Sequence, residues 1–554
     1  MILAFTGSGA RGPALLLAAT VAVPALMLLA SLSRRWRERM LSLLAFAPLP
    51  GLATALFAHD GAQLALDESR LRIALVVDTT RAILLGAAAL LWCAAGAYAA
   101  TYLRGKPHGG RFAVSWLLTL TGCLGVFIAG DLATFYFFFA IVSLAAYGLV
   151  MHDDTAAARR AAVVYLALAI FGEVCLLLAF VLLAHAAPGD TLRIQDVVAA
   201  LPTSPRRDQT LVFLVLGFGL KAGLVPLHGW LPLAHPAAPM PASAVLSGAI
   251  IKTGVIGLVC FLPLGAAMPG WGGALTAVGL LTALYGVLIG ITQANPKTVL
   301  AYSSVSQMGV VAAVLGMGWR AGDGAAAMAA AFYAVHHVLV KGALFLAVGV
   351  IAATGARRRW RVLLPAAVLA LSLAGLPLTG GALAKLATKP FLDHGVVGVL
   401  AACSSAGTAL LMLHFLRRVA AGAAPDTEAS PPAGIEAPWL AMAIAAVAVP
   451  WMLCSIATGA APTEALAPKA LWASLWPVLV GAALAVALWR LGARLPRVPE
   501  GDVLVAGERA ARSIAARGAL LEPVDLALRR WPVAGMALLA MLIALGAMIV
   551  AGTR

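Results

Sequence analysis

The chain has few charged residues, and charged side chains make up only 11% of its 554 residues. A soluble domain usually carries about 25% charged residues, so the composition excludes an ordinary soluble enzyme or binding domain. Apolar side chains take their place, because 62% of the residues are hydrophobic and the mean hydropathy is +0.96. We therefore expect a polytopic membrane protein.

Cysteines and nucleotide-binding motifs are equally scarce. The chain has six cysteines, each alone in an apolar stretch and without a CxxC partner. This pattern predicts neither a disulfide framework nor an iron–sulfur cluster, and favours small apolar fillers between helices. There is also no Rossmann glycine fingerprint and no Walker motif. We expect no haem, cluster, metal ion or nucleotide to be bound by this chain itself.

The apolar residues form about sixteen stretches of roughly 17–25 residues, which is the length of a membrane-spanning helix. Ala, Leu, Val and Gly dominate them without period-2 alternation, which favours helices over a barrel. The second stretch, near Leu41, is the weakest because Pro48 and Pro50 interrupt it, and the last begins near Trp531. The predicted fold is all-α and polytopic, with about 14–16 transmembrane helices.

Cations cluster in alternate loops, for example at 34–39 and 357–361. The net charge of +16 therefore does not indicate a nucleic-acid partner, since no basic soluble face is formed. The positive-inside rule places these loops in the cytoplasm and the N-terminus outside it. Because its cations follow the apolar run, we interpret the first stretch as a retained helix and not a signal peptide. The expected location is a bacterial-type inner membrane, crossed many times.

The C-terminal region, residues 419–554, contains two polar stretches. Residues 419–438 are rich in Ala, Pro and acidic side chains, which is typical of a surface loop. In residues 499–530, cations alternate with apolar residues. This second stretch is either an amphipathic helix on the membrane surface or a plain connecting loop.

A small set of ionisable residues falls inside the apolar stretches. The set is Glu173, Lys221, Lys252, Lys341 and Lys385, with His336 and His337 nearby. One lysine near a helix end is usually a snorkelling residue, but four mid-span lysines are hard to explain in this way. Burial disfavours the charged form of lysine, which allows it to exchange protons near neutral pH. These residues predict an ion or proton path.

Two of the lysines lie beside a helix break. Lys221 precedes Pro226 by five residues, and Lys385 follows Pro377 by eight. A proline removes a helical hydrogen bond and frees carbonyls for polar contacts. Broken helices at matching places in two halves are typical of duplicated transporters. We predict two inverted five-helix repeats, residues 112–263 and 264–418, after an N-terminal region of residues 1–111.

The other ionisable residues have two interpretations each. His337 and Lys341 are four residues apart, which puts them on one helix face as a proton relay. Alternatively, His336 and His337 are core histidines bonded to a carbonyl or water, and a metal site is disfavoured because no Cys or carboxylate lies nearby. Glu173 is a structural ion-pair partner or part of the proton path. Lys297 is predicted to be a surface or snorkelling lysine at a helix N-terminus.

Four segments together resemble the antiporter-like membrane subunits of respiratory complex I, of Mrp-type cation/proton antiporters and of membrane-bound hydrogenases. The segments are GLKAGLVPLHGWLPLAHPAAPMPASAVLSGAIIKTG, NPKTVLAYSSVSQMG, HHVLVKGALFL and LAGLPLTGGALAK. The resemblance covers roughly residues 112–416. It implies a topology of about fourteen helices with two inverted five-helix repeats and a line of buried charges.

By position, the resemblance assigns Lys221 to the first broken helix and Lys252 to the linking helix. It assigns Lys341 and His337 to the central pair of the second half, and Lys385 to the second broken helix. Two departures are visible: Ala140 stands where the family usually has a glutamate that pairs with the first lysine, and Tyr333 where many members have a histidine. Glu173 falls where some members have a structural acid.

The function that the resemblance implies is proton translocation by one subunit of a complex I-like assembly. Electron transfer would take place in partner subunits of an NADH:quinone oxidoreductase-like or hydrogenase-like complex, with no redox centre in this chain. The partners are then other membrane subunits, the lipid bilayer and protons. Two alternatives stay open: an Mrp-type subunit exchanging Na⁺ for protons, and a scaffold of the membrane arm that does not conduct, which the missing glutamate at Ala140 favours.

Overall fold

The computed structural model describes residues 11–505 except 59, 69, 70, 188, 190, 423 and 492–497, together with residues 507 and 509. Residues 1–500 form one compact unit and residues 501–554 another. In the second unit, residues 501–505 form a helical turn. The predicted span that starts near Trp531, and most of the polar stretch 499–530, lie outside the described residues.

Twenty α-helices build the described part of the chain. They are α1 (Arg11–Ala30), α2 (Arg34–Leu43), α3 (Leu49–Phe57), α4 (Thr79–Tyr102), α5 (Gly109–Ile128), α6 (Leu132–Val150), α7 (Ala156–Ala186), α8 (Ile194–Ala200), α9 (Arg207–Ala222), α10 (Trp230–Ala237), α11 (Met240–Val245), α12 (Lys252–Phe261), α13 (Pro269–Gly290), α14 (Pro296–Ala321), α15 (Ala325–Ala352), α16 (Trp360–Leu373), α17 (Gly380–Leu392), α18 (Gly395–Ala420), α19 (Ala433–Thr458) and α20 (Pro468–Leu491).

Thirteen helical stretches in the described residues are long and apolar enough to cross a membrane. They confirm the prediction of a helical, multi-pass membrane protein. The predicted second span is instead two short helices, α2 and α3, because Pro48 and Pro50 fall between and within them. The centre of the first unit is α15, which is buried over its whole apolar length, with α14 nearly as buried. Helices that are apolar all round belong in such a core.

Side-chain caps start several of the long helices. Asp78 accepts a hydrogen bond from the Arg81 N–H at the start of α4, and Asp131 accepts one from Thr134 at the start of α6. Thr155 caps α7 in the same way. Short polar side chains at these positions satisfy backbone N–H groups that have no partner within the helix. The caps fix where each span begins and therefore the height of its polar side chains.

One element departs from the predicted all-helical fold. Strands β1 (Ala62–Glu68) and β2 (Leu71–Val77) form an antiparallel hairpin between α3 and α4. Leu64 and Leu75 face each other in the hairpin and are both buried. The Ala74 N–H donates to the Asp131 carboxylate over 2.8 Å, so the hairpin is held against the start of α6. Strands this short carry little sequence signal beside long apolar helices.

The two predicted helix breaks are present and end in the same way. Gly223 (φ +83°) follows α9 and Gly375 (φ +90°) follows α16, in a backbone conformation that side chains disfavour. After each glycine, a leucine N–H donates back five residues, from Leu224 to Gly219 and from Leu376 to Leu371. This is the Schellman ending of a helix. Two half-helices, α10 and α17, then continue after a short turn.

Candidate functional site

Lys221 lies at the end of α9 and is 3% exposed. Its Nζ donates to the Ser143 hydroxyl on α6 over 2.9 Å and contacts the Tyr165 hydroxyl on α7 at 3.4 Å. Tyr165 in turn donates to the Ser143 carbonyl over 2.7 Å. The rings of Phe139 and Tyr165 lie 5.5 and 5.7 Å from the ammonium group, within the range of cation–π attraction. Three helices therefore converge on this lysine.

The same pocket holds a carboxylate, although not at the expected position. Ala140 lies one turn before Ser143 on α6, so a glutamate there would approach Lys221 from that helix. Glu173 approaches from α7 instead and is 7% exposed. Neither of its carboxylate oxygens has a donor at hydrogen-bonding distance among the described residues, while Ser143 and Lys221 are the polar groups that act on it.

Small residues bring α7 and α9 together beside this pocket. A Cβ atom on Gly217 would come within 2.5 Å of the Leu176 side chain, and one on Gly172 would meet Leu220 at 3.6 Å. Glycines at a helix crossing allow the backbones to approach closely. Because Gly172 precedes Glu173 and Gly217 is one turn before Lys221, the crossing places the acid-bearing turn of α7 next to the lysine-bearing turn of α9.

Lys252 begins α12 and is fully buried. Just before it, residues Leu246–Ile250 form a π-helical turn in which the Ile251 N–H donates to the Leu246 carbonyl over 3.3 Å. Such widened turns are frequent at functional sites. The Lys252 Nζ donates to the Ser247 carbonyl over 3.2 Å and makes a short contact with His337 Nδ1 on α15.

Lys341 lies on α15 and contacts the neighbouring helix α14. Its Nζ donates to the Leu300 carbonyl over 2.7 Å and to the Ser303 hydroxyl. Ser304 donates to the same Leu300 carbonyl and shares a hydrogen bond of 2.7 Å with the Ser247 hydroxyl. A series of polar contacts thus connects Lys252 to Lys341 through Ser247, Ser304 and the Leu300 carbonyl.

His337 contacts a different partner from the one that its spacing suggests. The four-residue separation puts it on the same face of α15 as Lys341, but its Nδ1 contacts Lys252, and its Nε2 has no hydrogen-bond partner among the described residues. The ring therefore joins the linking lysine of the first predicted repeat to the central helix of the second. The four-residue spacing indicates that His337 and Lys341 share a face of α15. It does not indicate the partner of His337, because Lys252 lies on another helix, α12.

His336 points to the second broken helix. Its Nε2 lies 2.8 Å from the Ser372 hydroxyl near the end of α16, and the same hydroxyl accepts a hydrogen bond from the Gly381 N–H across the break. The Lys385 Nζ, on α17, donates to the Ala374 carbonyl within that break. The two adjacent histidines on α15 thus have different partners: His337 contacts Lys252, and His336 contacts Ser372 beside the second helix break.

A cavity of about 210 Å³ lies beside Lys385, which is partly exposed to it. Its walls include the hydroxyls of Thr388, Ser404 and Ser474. Tyr333, the residue at a position where a histidine was expected, donates to Gln307 over 2.6 Å in the same wall. The Lys385 side chain therefore borders a cavity that is large enough to hold several water molecules.

Two further titratable residues, Lys297 and His235, lie in the same buried region as Lys252 and Lys341. Lys297 lies at the N-terminus of α14 as predicted, but it is not a surface lysine. It is 7% exposed, and its Nζ donates to the Pro236 and Ala238 carbonyls over 3.1 and 2.5 Å. His235, on α10, is fully buried, and neither ring nitrogen has a hydrogen-bond partner in the described part of the chain. The charges of Lys297, Lys252 and Lys341 all act on it.

His235 was missed although it stands in the quoted segment WLPLAHPAAP. A histidine between two prolines in an apolar stretch is the signal that would have found it. The serines were missed because a serine in an apolar helix is common and carries no signal until a neighbouring helix brings a lysine to it. Among the described residues, no group of three His, Cys, Asp or Glu side chains could hold a metal ion.

The fold and the buried lysines define a class: a multi-pass helical membrane protein of the antiporter-like type. Residues 129–389 match the family described as NADH:quinone oxidoreductase/Mrp antiporter, transmembrane. This segment, just under half of the chain, is similar to the antiporter-like membrane subunits that occur in complex I, Mrp antiporters and hydrogenases.

Individual relatives come from different assemblies. The chain is 36% identical over 304 residues to NADH-quinone oxidoreductase subunit N of Desulforudis audaxviator, covering 52% of this chain and 58% of the relative. It is 30% identical over 292 residues to hydrogenase-4 component B of Escherichia coli K12, covering 50% of this chain and 43% of the relative. The chain thus spans about half the length of the curated relatives it matches.

A solved structure extends the likeness of the fold to nearly the whole chain. The Mrp complex from Dietzia sp. DQ12-45-1b aligns with a TM-score of 0.72 at 23% identity, covering 98% of this chain and 63% of that one. At this identity the match shows a shared fold. The predicted family and the predicted helical membrane fold are confirmed.

Proposed function

We propose that this chain is a proton-translocating subunit of a complex I-like oxidoreductase assembly. Protons pass along Lys221, Lys252, His337–Lys341 and Lys385 with the help of water, and electron transfer in partner subunits drives them. The observation that carries this proposal is the line of buried polar contacts across α12, α15 and α16–α17. One part joins Lys252 to His337, and the other joins the adjacent residue His336 to Ser372 at the break that Lys385 contacts.

The central contact has the chemistry of a proton transfer. The Lys252 ammonium donates and His337 Nδ1 accepts when the ring carries its own proton on Nε2. Lys252 and Lys341 are also close enough for their charges to interact. Since like charges repel strongly in a poorly polarisable interior, a proton that arrives at one lysine favours departure from the other.

His336 connects the central cluster to the terminal lysine in this proposal. A histidine can pass a proton because one ring nitrogen accepts while the other donates. The Ser372 hydroxyl, bonded to His336, lies two residues before the Ala374 carbonyl that Lys385 contacts. The cavity beside Lys385 then provides the release site.

The two inverted repeats, residues 112–263 and 264–418, are part of the proposal. Each contains a pair of closely packed helices, α5 with α6 and α13 with α14, followed by one long helix, α7 or α15, before the broken helix. The identical Schellman endings of α9 and α16 support a duplication. The two lysines differ in place, since Lys221 precedes its break and Lys385 follows its own.

The remaining parts of the proposal concern the surroundings of the chain. Its location is a bacterial-type inner membrane, with the N-terminus outside the cytoplasm. Its partners are other membrane subunits, as in the multi-subunit complexes that contain its relatives. Apolar side chains on the outer face of α7, such as Val163, Phe171 and Val181, are 48–61% exposed and suit contact with lipid or a partner helix.

The test measures proton uptake by inside-out membrane vesicles that contain the whole assembly, energised by its own electron donor. Lys252→Met and Lys385→Met keep most of the side-chain length but cannot carry a proton, so we expect proton uptake to fall by roughly a hundredfold or to the leak level. The control is Arg357→Met, in the loop after α15, where the arginine is exposed and pairs with Glu428 over 2.6 Å.

Assembly of the complex is checked by the amount of the variant chain that copurifies with its partners. Unchanged proton uptake in both buried-lysine variants would contradict the proposal and favour a scaffold that does not conduct. The control variant is expected to behave as the unaltered chain, because an exposed ion pair contributes little to stability.

The second candidate is an Mrp-type subunit that exchanges Na⁺ for protons, and the likeness to the Mrp complex favours it. Carbonyl oxygens freed at the two helix breaks are ligands that Na⁺ accepts. A pH gradient that collapses on adding Na⁺ to vesicles, and not on adding K⁺, would support this candidate. Proton uptake that needs the electron donor and is the same in Na⁺ and K⁺ media would support the first.

A further inference from the structure

Glu173 is a buried carboxylate whose oxygens have no hydrogen-bond donor at bonding distance among the described residues. It lies in the middle of α7, a span of 31 residues with a hydropathy of 2.7. A carboxylate in such a place is costly and is retained for a reason. The predicted structural role requires an ion pair or a set of donors, and the described structure gives it neither.

The groups around Glu173 belong to three helices. The polar groups that act electrostatically on Glu173 are Ser143 and Tyr136 on α6, Tyr165 on its own helix and Lys221 on α9. Ser143 also accepts a hydrogen bond from Lys221 over 2.9 Å. The serine that bonds the lysine is therefore also near enough to influence the acid, although it does not bond it in the described structure.

We propose that Glu173 is the proton-exchanging partner of Lys221, acting through the Ser143 hydroxyl. This inference rests on the proposed function and adds a member to its first station. Ala140 leaves α6 without an acid facing this pocket, and the close crossing of α7 and α9 at Gly172 and Gly217 brings Glu173 to the lysine from the other side.

The transfer is balanced. The Lys221 ammonium gives a proton to the Ser143 oxygen while the Ser143 O–H gives its proton to the Glu173 carboxylate. The result is a neutral amine, an intact serine and a neutral carboxylic acid. The reverse step restores the ammonium and the carboxylate. Because neither carboxylate oxygen has a donor at bonding distance in the described structure, the step also requires the Ser143 and Glu173 side chains to rotate until they form a hydrogen bond.

The first experiment uses the vesicle assay on the complete assembly with three variants. Glu173→Gln removes the titratable group and is expected to lower proton uptake by about tenfold or more. Glu173→Asp keeps the acid and is expected to retain more proton uptake than the amide. The double variant Ala140→Glu with Glu173→Gln supplies an acid from α6, one turn from Ser143, and is expected to restore proton uptake. Glu464→Gln, an exposed acid outside the spans, is the control.

The second experiment uses dicyclohexylcarbodiimide, which reacts with protonated carboxyl groups in apolar surroundings, and detects the modified peptide by mass spectrometry. Wild-type Glu173 is expected to be modified in membranes. Lys221→Met removes the ammonium that stabilises the carboxylate, so modification of Glu173 is expected to increase. A glutamate without electrostatic contact with Lys221 would not respond to this change.

The outcomes separate this inference from the proposed function. If Glu173→Gln keeps wild-type proton uptake while Lys252→Met loses it, Glu173 is structural and only this inference fails. If Lys252→Met and Lys385→Met also keep wild-type uptake, the proposed function itself fails. If Glu173→Gln does not assemble, the modification experiment decides, and equal modification with and without Lys221 overturns the inference.

Discussion

The four lysines of the proposed path share an unusual feature: their hydrogen-bond partners in the described structure are neutral. Lys221 contacts hydroxyls, Lys252 a carbonyl and a ring nitrogen, Lys341 a carbonyl and a hydroxyl, and Lys385 a carbonyl. The ion pairs found in the described residues lie elsewhere, mostly in exposed loops. Lys252, Lys341 and Lys385 can therefore lose their protons without leaving an unpaired carboxylate behind, which suits repeated proton exchange.

At the residue scale, the variant His336→Gln tests whether His336 passes protons or is a structural core histidine. Glutamine can still hydrogen-bond Ser372 but cannot take up a proton, so we expect about a tenfold loss of proton uptake with little change in the unfolding temperature. His414→Gln is the control, because His414 contacts the Gln293 carbonyl over 2.8 Å, away from the lysines. Unchanged uptake in His336→Gln would make it a structural histidine.

At the element scale, the sequence predicted the long helices and both breaks but not what the helices bring together. Pro226 and Pro377 marked the breaks, because proline acts on its own helix. The position of Lys297 could not be predicted, since the carbonyls that bury it come from Pro236 and Ala238, about sixty residues earlier. The partner of His337 was missed for the same reason, because Lys252 lies on another helix.

The packing of α13 on α14 is an element-scale feature with a sharp test. A Cβ atom on Gly279 would come within 2.5 Å of the Ala313 backbone nitrogen and 2.6 Å of the Gly309 carbonyl. Backbone atoms cannot move aside as side chains do, so Gly279→Ala is expected to cost about 1–3 kcal/mol or more. It would also displace α14, which holds the serines beside Lys341.

The matched control is Gly273→Ala on the same helix, where an added Cβ meets no atom within 4 Å. Alanine favours a helix over glycine by up to about 1 kcal/mol, so this variant is expected to be as stable as the unaltered chain or more so. The measurement is the unfolding temperature of the purified assembly in detergent. Equal destabilisation by both alanines would contradict close packing of α13 on α14 as the cause.

At the scale of the whole molecule, the direction of transport depends on which end of each helix faces the cytoplasm. The charge pattern predicts that the cationic loops lie inside, and those loops do join helix ends in the structure: Arg104 follows α4, and Arg357 and Arg358 follow α15, where they pair with Glu428. The same pattern puts the hairpin β1–β2, before α4, on the opposite side. It also puts Asp393, beyond Lys385, outside the cytoplasm, so that the cavity beside Lys385 would release protons outward.

This orientation is tested at the two ends of α4 with cysteine variants and a membrane-impermeant maleimide. Ala65→Cys lies on an exposed position of β1, and Arg104→Cys lies just after α4. We expect Ala65→Cys to be labelled in spheroplasts and Arg104→Cys only in inside-out vesicles. The unaltered chain provides the background, since among its six cysteines only Cys403 is exposed and it lies in the span α18. The reverse labelling would invert the chain in the membrane and make the cavity beside Lys385 a site of proton entry from the cytoplasm.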